Sequence, residues 1–293
     1  MLDRAVFIRP FAHRGLHDAA RGVVENSTAA FAAAIAQDYG IECDLRPAAD
    51  ATPIVFHDRA LGRLVDAPGL VADYRACDLA TLVYRYTTTP VSTFADLLAQ
   101  VAGRVPILVE VKSEWAPLEP AFLRSIAEQA AAYRGAIALM SFDPGVVTAL
   151  KMLAPEVPRG IVSGVYEGDG WWSDQLDPAR AFRLSHLLES GPAEPHFFAY
   201  HVKDLPTPVT RYVREVLAMP LFCWTVRSPE DLAIADHWAD APIFEGFDIR
   251  AAQGREGAGR SDGRDGDENC SNSTGASSRK QASRAMNSTF PKR

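Results

Sequence analysis

Reactive side chains concentrate in one segment near the start of the sequence, residues 11–58. Two of its histidines precede charged residues: His13 stands in the run His-Arg-Gly, and His57 stands in the run His-Asp. Imidazole is the side chain that exchanges a proton most readily near neutral pH. Two such groups in one site could act as the acid and the base of a hydrolysis.

Carboxylates in the same segment have the spacing of a metal site. Glu42 and Asp44 are two residues apart in an apolar run, and side chains two apart on a strand point to one face, roughly 6–7 Å from each other. Glu110 stands near the end of a later apolar run. Three carboxylates that meet would repel one another unless a hard divalent cation, Mg²⁺ or Ca²⁺, lay between them. The four cysteines show no spacing that favours zinc or a disulfide framework.

The elements that must position these groups alternate along the chain. Apolar runs predict strands at residues 8–12, 41–46, 105–111, 137–140, 160–163, 197–200, 221–225 and 243–245, with a further extended run at 53–57. Capping residues and helical periodicity predict helices at residues 26–37, 94–102, 118–133, 144–153, 177–188, 208–217 and 228–237. Eight strands that alternate with helices predict an α/β fold, a single (β/α)8 TIM barrel, whose active site lies at the C-terminal ends of the strands.

Charge and composition divide the chain at about residue 250. The whole chain carries a net charge of −7, but residues 251–293 hold eight basic and five acidic side chains and lack Leu, Ile, Val, Trp and Tyr. We therefore predict a barrel domain over residues 3–250 and a disordered, low-complexity tail over residues 251–293. The acidic barrel disfavours nucleic acid as a partner. Because we find no apolar run suited to a membrane span or a signal peptide, we predict no membrane insertion and a cytoplasmic location.

In order along the chain, the motifs resemble those of the glycerophosphodiester phosphodiesterase family. The resemblance is carried by His13-Arg14-Gly15, Glu25-Asn26, Glu42-x-Asp44, His57-Asp58, Val-Glu-Val-Lys at 109–112, Ser141-Phe142 and Cys-Trp-Thr-Val-Arg at 223–227. These motifs span about residues 11–247. The resemblance implies a barrel enzyme that hydrolyses a small-molecule glycerophosphodiester to sn-glycerol 3-phosphate and an alcohol.

The resemblance also implies roles for individual side chains. His13 and His57 would share the proton transfers: one takes a proton from the attacking water or from the neighbouring hydroxyl of the glycerol, and the other protonates the departing alcohol. The sequence does not assign the two roles. Arg14 and Lys112 would bind the phosphate oxygens, and Arg can do so with two hydrogen bonds.

Further residues would support or line this site. Glu25 and Asn26 would hold the metal-binding and phosphate-binding side chains in place, and Asn26 would also be the N-cap of the first helix. Trp224 would form an apolar wall against the glycerol moiety, or would only fill the core. A loop after the fifth strand carries Trp171 and Trp172, which either line the substrate groove or cover a helix end.

The sequence departs from the family pattern at two turns. Residues 47–51 replace the usual Thr-x-Asp-Gly, and residues 244–248 replace the usual closing Gly-Val-Asp-Gly-Ile. We expect neither change to touch a predicted ligand or acid–base group, so both bear on substrate choice rather than on hydrolysis. A short insertion after the second barrel strand, within residues 59–100, would help to select the alcohol and would leave the mouth of the barrel fairly open.

Two other functions fit the same barrel. A phospholipase-D-like enzyme would act on a lysophospholipid and would expose an apolar groove or a basic patch, which the acidic body disfavours. A non-catalytic barrel would only bind a phosphorylated ligand, yet both motif histidines are present. The histidines outside the motifs are assigned to the surface or to loops; they are His17, His186, His196, His201 and His237.

Overall fold

Eight parallel strands close into a barrel in the computed structural model, which describes residues 1–252 except Leu118, Asp169 and Trp171. The described strands are β1 (Phe11–Ala12), β2 (Gly40–Pro47), β3 (Pro53–Val55), β4 (Ile107–Val111), β5 (Ile137–Ser141), β6 (Arg159–Ser163), β7 (Phe197–His201), β8 (Leu221–Val226) and β9 (Ala241–Phe244). The barrel closes because β1 pairs in parallel with both β2 and β9. The predicted (β/α)8 TIM barrel is confirmed.

Helices surround the barrel, and several of them begin at the predicted capping residues. They are α1 (Arg4–Phe7), α2 (Thr28–Ala36), α3 (Ala76–Leu79), α4 (Phe94–Val101), α5 (Pro120–Ala132), α6 (Pro144–Leu153), α7 (Pro178–Ser185), α8 (Pro208–Arg211) and α9 (Pro229–Trp238). Asp143, Asp177 and Ser228 each cap a helix whose first residue is proline, which lacks the backbone N–H that would otherwise need a partner there. The helix predicted at 208–217 instead continues beyond α8 as a π-helical turn, Tyr212–Val216.

Two structural predictions near the N-terminus are wrong in detail. Of the strand predicted at 8–12 only Phe11–Ala12 pairs in the barrel, and residues 8–10 connect it to α1, which ends at Phe7. The helix predicted from residue 26 begins at Thr28, with Ser27 as its N-cap. Asn26 has a φ of 54° and therefore lies outside the helix, and its side-chain amide donates to Asp44 at 2.8 Å. Asn26 thus supports the site without capping the helix.

The extended run predicted at 53–57 is not a barrel strand. Its ordered part, β3, pairs antiparallel with β2, with Val55 opposite Leu45. The backbone N–H of Phe56 then donates to the carbonyl of Asp44 at 3.0 Å. This hairpin brings the next residue, His57, back along β2 to the level of Asp44.

The insertion after this hairpin has a small core of its own. Its buried side chains are Ala48, Ile54, Phe56, Leu61, Val65, Val71, Leu79, Tyr84 and Val91. The replaced turn at residues 47–51 is also compact, because the Ala51 N–H donates to the Ala48 carbonyl at 2.9 Å. Ala51 has a φ of 63°, the left-handed conformation that glycine adopts most easily. This turn thus places an alanine in a left-handed conformation.

Aromatic rings close the N-terminal end of the barrel. Phe11 and Phe197 each pack edge-on against Phe222, with centroid distances of 5.8 and 5.2 Å. Gly160 on β6 leaves room for this cluster, since a Cβ added there would overlap the ring of Phe197. No helix in the described part of the chain is long and apolar enough to cross a membrane.

Gly160→Ala should therefore destabilise the barrel by about 1–3 kcal/mol, because a packed aromatic cluster cannot accept an extra methyl group without moving. Thermal unfolding should show a melting temperature lower by several degrees, at about 2–4 °C per kcal/mol for a domain of this size. Gly191→Ala is the matched control, since an added Cβ there meets no atom within 4 Å. Equal melting temperatures for the two variants would contradict the packing described here.

Candidate active site

Three buried carboxylates meet at the mouth of the barrel. Glu42 and Asp44 lie two apart on β2, and Glu110 lies beside Asp44 in the parallel register of β2 and β4. Their carboxylate oxygens lie within 4.8 Å of one another. The period-2 geometry of a strand therefore places all three groups where the sequence predicted a cation site.

Two cationic side chains balance part of this negative charge. Lys112 Nζ lies 2.8 Å from Asp44 Oδ1 and 2.7 Å from Glu110 Oε1. Arg14 Nε lies 3.4 Å from Asp44 Oδ2. Burial alone would raise the pKa of Asp44, but Lys112, His57 and Arg14 hold that pKa well below its usual value. Asp44 is therefore ionised at neutral pH.

Glu42 is the carboxylate with the least compensation. One of its oxygens, Oε2, accepts the backbone N–H of Arg14 at 3.0 Å, but Oε1 is buried without a hydrogen-bond partner among the described residues. Burial and the charges of Asp44 and Glu110 raise the pKa of Glu42 well above its usual value. An oxygen-binding cation would satisfy Oε1 and offset the repulsion, so this donor set fits a hard divalent ion.

His13 is fixed at this site by a carboxylate from the other end of the chain. Its Nδ1 lies 2.5 Å from Glu245 Oε2, and its Nε2 lies 3.9 Å from Glu42 Oε2. Burial lowers the pKa of His13, although the hydrogen bond with Glu245 opposes that shift. Arg227 Nε donates to Glu245 Oε1 at 2.7 Å, so Glu245 is itself held in place. His13 is neutral at neutral pH, with Nε2 directed toward the carboxylates.

The turn that carries His13 requires glycine at its third position. Gly15 has a φ of 78°, and a Cβ added there would lie 2.8 Å from the Cβ of Ala30 on α2. The turn therefore packs directly onto the helix that follows it. Arg14, with a φ of 55°, is also left-handed and donates through Nη1 to Glu25 at 2.8 Å. The predicted support of Arg14 by Glu25 agrees with this contact.

His57 is also held by a carboxylate, its neighbour in sequence. Its Nδ1 lies 2.8 Å from Asp58 Oδ1, which leaves Nε2 available to a ligand. Its backbone carbonyl accepts a hydrogen bond from Arg46 Nε at 2.6 Å. Arg46 in turn pairs with Glu114 at 2.7 Å. The two motif histidines thus share one arrangement, with Nδ1 on a carboxylate.

Two residues without a predicted catalytic role, Glu245 and His17, lie at His13: Glu245 contacts His13, and His17 contacts Glu245. Glu245 follows the last strand of the barrel and lies within the departure at residues 244–248, so the expectation that this departure touches no acid–base group is wrong. His17 Nε2 lies 3.3 Å from Glu245 Oε2, which places a third histidine at the site. The position of Glu245 just after a barrel strand was the one available signal.

An aromatic cavity of about 550 Å³ lies at the C-terminal ends of β5, β6 and β7. Its lining includes Phe142, Tyr166, Trp172, His201, Asp204 and Trp224. The Trp224 ring stands nearly perpendicular to that of Phe142, with centroids 5.1 Å apart, and its Nε1 donates to the Ala199 carbonyl at 3.3 Å. Trp224 and Trp172 thus line a cavity, whereas Trp171 lies outside the described residues.

An acidic site that also carries an arginine and a lysine has the charge pattern of a barrel that binds a phosphate ester beside a metal ion. A sequence profile of the glycerophosphoryl diester phosphodiesterase family matches residues 13–245. The chain belongs to this family, and membership supports glycerophosphodiester hydrolysis as its activity. The resemblance of the motifs to this family is confirmed.

Solved structures with the same fold include members of this family. A phosphodiesterase from Oleispira antarctica, in complex with the product sn-glycerol-3-phosphate, has a TM-score of 0.65 and 20% identity over 84% of this chain and 96% of its own. A glycerophosphodiester phosphodiesterase from Thermotoga maritima has a TM-score of 0.60 and 20% identity over 80% of this chain and 93% of its own. A search of curated proteins gives no significant match.

Divalent-cation binding should depend on Asp44 and on pH. In Asp44→Asn the amide offers a neutral oxygen, so the affinity for Mg²⁺ or Ca²⁺, measured by calorimetry, should fall at least about tenfold. Because the pKa of Glu42 is raised, protons compete with the cation for this carboxylate. The affinity should therefore decrease as the pH falls, and binding should release protons into the buffer.

Asp240→Asn is the matched control for this measurement. Asp240 pairs with Arg4 and Arg214 ahead of the last strand, at the opposite end of the barrel from the triad. The Asp240→Asn variant should bind the cation as the wild type does. Undiminished binding by Asp44→Asn would show that the cation is held elsewhere.

Proposed function

We propose that this protein hydrolyses glycerophosphodiesters to sn-glycerol 3-phosphate and an alcohol, with one divalent cation, Mg²⁺ or Ca²⁺. The observation that carries this proposal is the paired arrangement of His13 and His57. Each has a carboxylate on Nδ1, and the charged form of each lowers the pKa of Asp44 in the acidic triad. A barrel that only bound a phosphoester would not need two histidines oriented in this way.

Glu42, Asp44 and Glu110 would hold the cation. When bound there, a divalent ion neutralises phosphate oxygens and favours in-line displacement at phosphorus. Arg14 and Lys112 would bind the remaining phosphate oxygens. Lys112 has three donors, of which Asp44 and Glu110 engage two, so it keeps one for a ligand.

We assign the base to His13 and the acid to His57. Burial keeps His13 neutral, so its Nε2 can accept the proton of the attacking water or of the neighbouring glycerol hydroxyl. Glu245 would stabilise the imidazolium that forms, because it accepts from Nδ1. His57, held by Asp58, would give its proton from Nε2 to the oxygen of the departing alcohol. Each histidine then returns to its starting state by exchange with solvent.

The aromatic cavity would accept the organic part of the substrate. Trp224 and Phe142 form a rigid corner that suits the carbon chain of the glycerol moiety. The cytoplasmic location and the domain boundary at residue 250 stay predictions from the sequence, and the predicted tail lies outside the described residues from residue 253 onward.

One observation favours a lysophospholipid as an alternative substrate. An apolar groove of about 620 Å³ lies between α5 and α6, with Trp115, Leu123 and Val146 in its lining. Met152 and Leu153 at its edge are exposed. An acyl chain could occupy such a groove while the phosphodiester lies at the acidic site. Comparison of turnover on a glycerophosphodiester and on its acylated analogue distinguishes the two substrates.

Replacement of either motif histidine should lower kcat more than it changes KM. His13→Ala and His57→Ala should each reduce kcat on a natural diester by about 10²- to 10⁴-fold, the usual worth of a positioned acid or base. An ester of a nitrophenol needs no proton donor for its leaving group. Its cleavage should survive in His57→Ala and collapse in His13→Ala.

His237→Ala, on the exposed side of α9, is the control and should keep wild-type kinetics on both substrates. The opposite pattern on the nitrophenyl ester would reverse the two roles. Wild-type rates for both variants on the natural diester would exclude this site as the catalytic centre.

A further inference from the structure

Arg63, in the insertion after β3, contacts carboxylates that also hold active-site side chains. We propose that Arg63 is a positioning residue that fixes His57 and Arg14 at the same time. The proposal rests on the function assigned above, since it explains how the acid–base and phosphate-binding groups are aligned. It gives the insertion a role in alignment, whereas its expected role is selection of the alcohol.

The guanidinium of Arg63 bridges two carboxylates. Its Nη1 and Nη2 donate to Glu25 Oε2 and Oε1 at 3.0 and 2.6 Å, and its Nη2 also donates to Asp58 Oδ1 at 3.0 Å. Its Nε donates to Asp58 Oδ2. The planar guanidinium of Arg63 thus donates two hydrogen bonds to each carboxylate. A planar fork of donors with fixed angles determines the orientation of each carboxylate.

Each of these carboxylates has a second partner within the active site. Glu25 Oε1 accepts from Arg14 Nη1 at 2.8 Å, and Asp58 Oδ1 accepts from His57 Nδ1 at 2.8 Å. Arg63 therefore lies one carboxylate away from the predicted phosphate ligand and one carboxylate away from the predicted acid. These two targets come from different parts of the chain, the turn after β1 and the end of the β3 hairpin.

The chain around Arg63 is firmly anchored. Leu61 and Val65, two residues to either side, are buried in the small core of the insertion. A second contact ties the insertion to the same part of the barrel, because Tyr84 OH donates to the Asn26 carbonyl at 3.2 Å. The insertion can therefore transmit its fixed position to Arg63 and from there to the site.

The charges of this network stay in place around neutral pH. Hydrogen bonds with Glu25 and Asp58 raise the pKa of Arg63. Burial alone would raise the pKa of Asp58, but hydrogen bonds with His57 and Arg63 hold it well below its usual value. Asp58 is therefore an ionised acceptor that keeps one proton of His57 on Nδ1, distinct from the Nε2 proton that the proposed acid donates.

Arg63→Lys tests the role of the fork because it keeps the charge and removes the planar donor geometry. With saturating divalent cation, kcat on a glycerophosphodiester should fall roughly 10- to 100-fold, the usual effect of losing a group that orients an active-site side chain. Arg85→Lys is the matched control. Arg85 belongs to the same insertion, pairs with the exposed Asp66 and donates to the Gly62 carbonyl. Within the described residues it forms no hydrogen bond or ion pair with either carboxylate that Arg63 binds, so this variant should keep wild-type kcat and KM.

A double variant separates positioning from general loss of structure. If Arg63 acts through Asp58, Arg63→Lys combined with Asp58→Asn should reduce kcat by much less than the product of the two single effects. Independent, multiplicative effects would contradict the proposal. A second contradicting result is a melting temperature that falls together with kcat in Arg63→Lys and stays unchanged in Arg85→Lys. That result would indicate that Arg63 has a structural role only.

The position of the His57 proton gives a readout that does not require turnover. In spectra of protein labelled with ¹⁵N at histidine, the Nδ1–H signal of His57 should be protected from exchange in the wild type and in Arg85→Lys. It should weaken or disappear in Arg63→Lys. An unchanged His57 signal would overturn the proposal even if the protein hydrolysed no glycerophosphodiester. If Arg63→Lys loses the His57 signal but the wild-type protein does not hydrolyse glycerophosphodiesters, only the proposed function is rejected.

Discussion

The burial of three like charges at one point is the constraint on which the rest of this structure depends. Glu42, Asp44 and Glu110 share a space of less than 5 Å and are nearly inaccessible to water. Such an arrangement is unfavourable unless positive charge is supplied. Lys112 and Arg14 supply part of that charge, and the unsatisfied oxygen of Glu42 leaves a position that a cation could occupy.

The groups around the triad are fixed by contacts between distant parts of the chain. His13 is held by Glu245, 232 residues away, and Arg14 is linked through Glu25 to Arg63 in the insertion. Each contact is a hydrogen bond between charged or ionisable groups, and those of His13 and Arg14 are partly buried, where such bonds are strong and directional. The barrel and the small folded insertion together hold the groups that are proposed to act on one phosphate.

The barrel and the triad could be predicted from the sequence because they follow from local periods and from the pairing of neighbouring parallel strands. Alternation along β2 directs Glu42 and Asp44 to one face, whatever the rest of the chain does. The partners of the histidines could not be predicted in the same way. Glu245 reaches the site because the barrel closes, and Arg63 because the insertion packs against it. Neither event produces a local pattern in the sequence. Asn26 was misjudged for the same reason, since its preference for capping is overridden by a bond to Asp44.

The central claim is that one cation and one phosphate meet between the triad and the two histidines. A crystal structure with Mn²⁺ and sn-glycerol 3-phosphate tests this claim most directly, because Mn²⁺ prefers similar oxygen ligands and can be located by its anomalous scattering. We predict one strong peak bound by Glu42, Asp44 and Glu110, with the phosphate between His13 and His57. A metal bound elsewhere, or a phosphate that contacts neither histidine, would contradict the account.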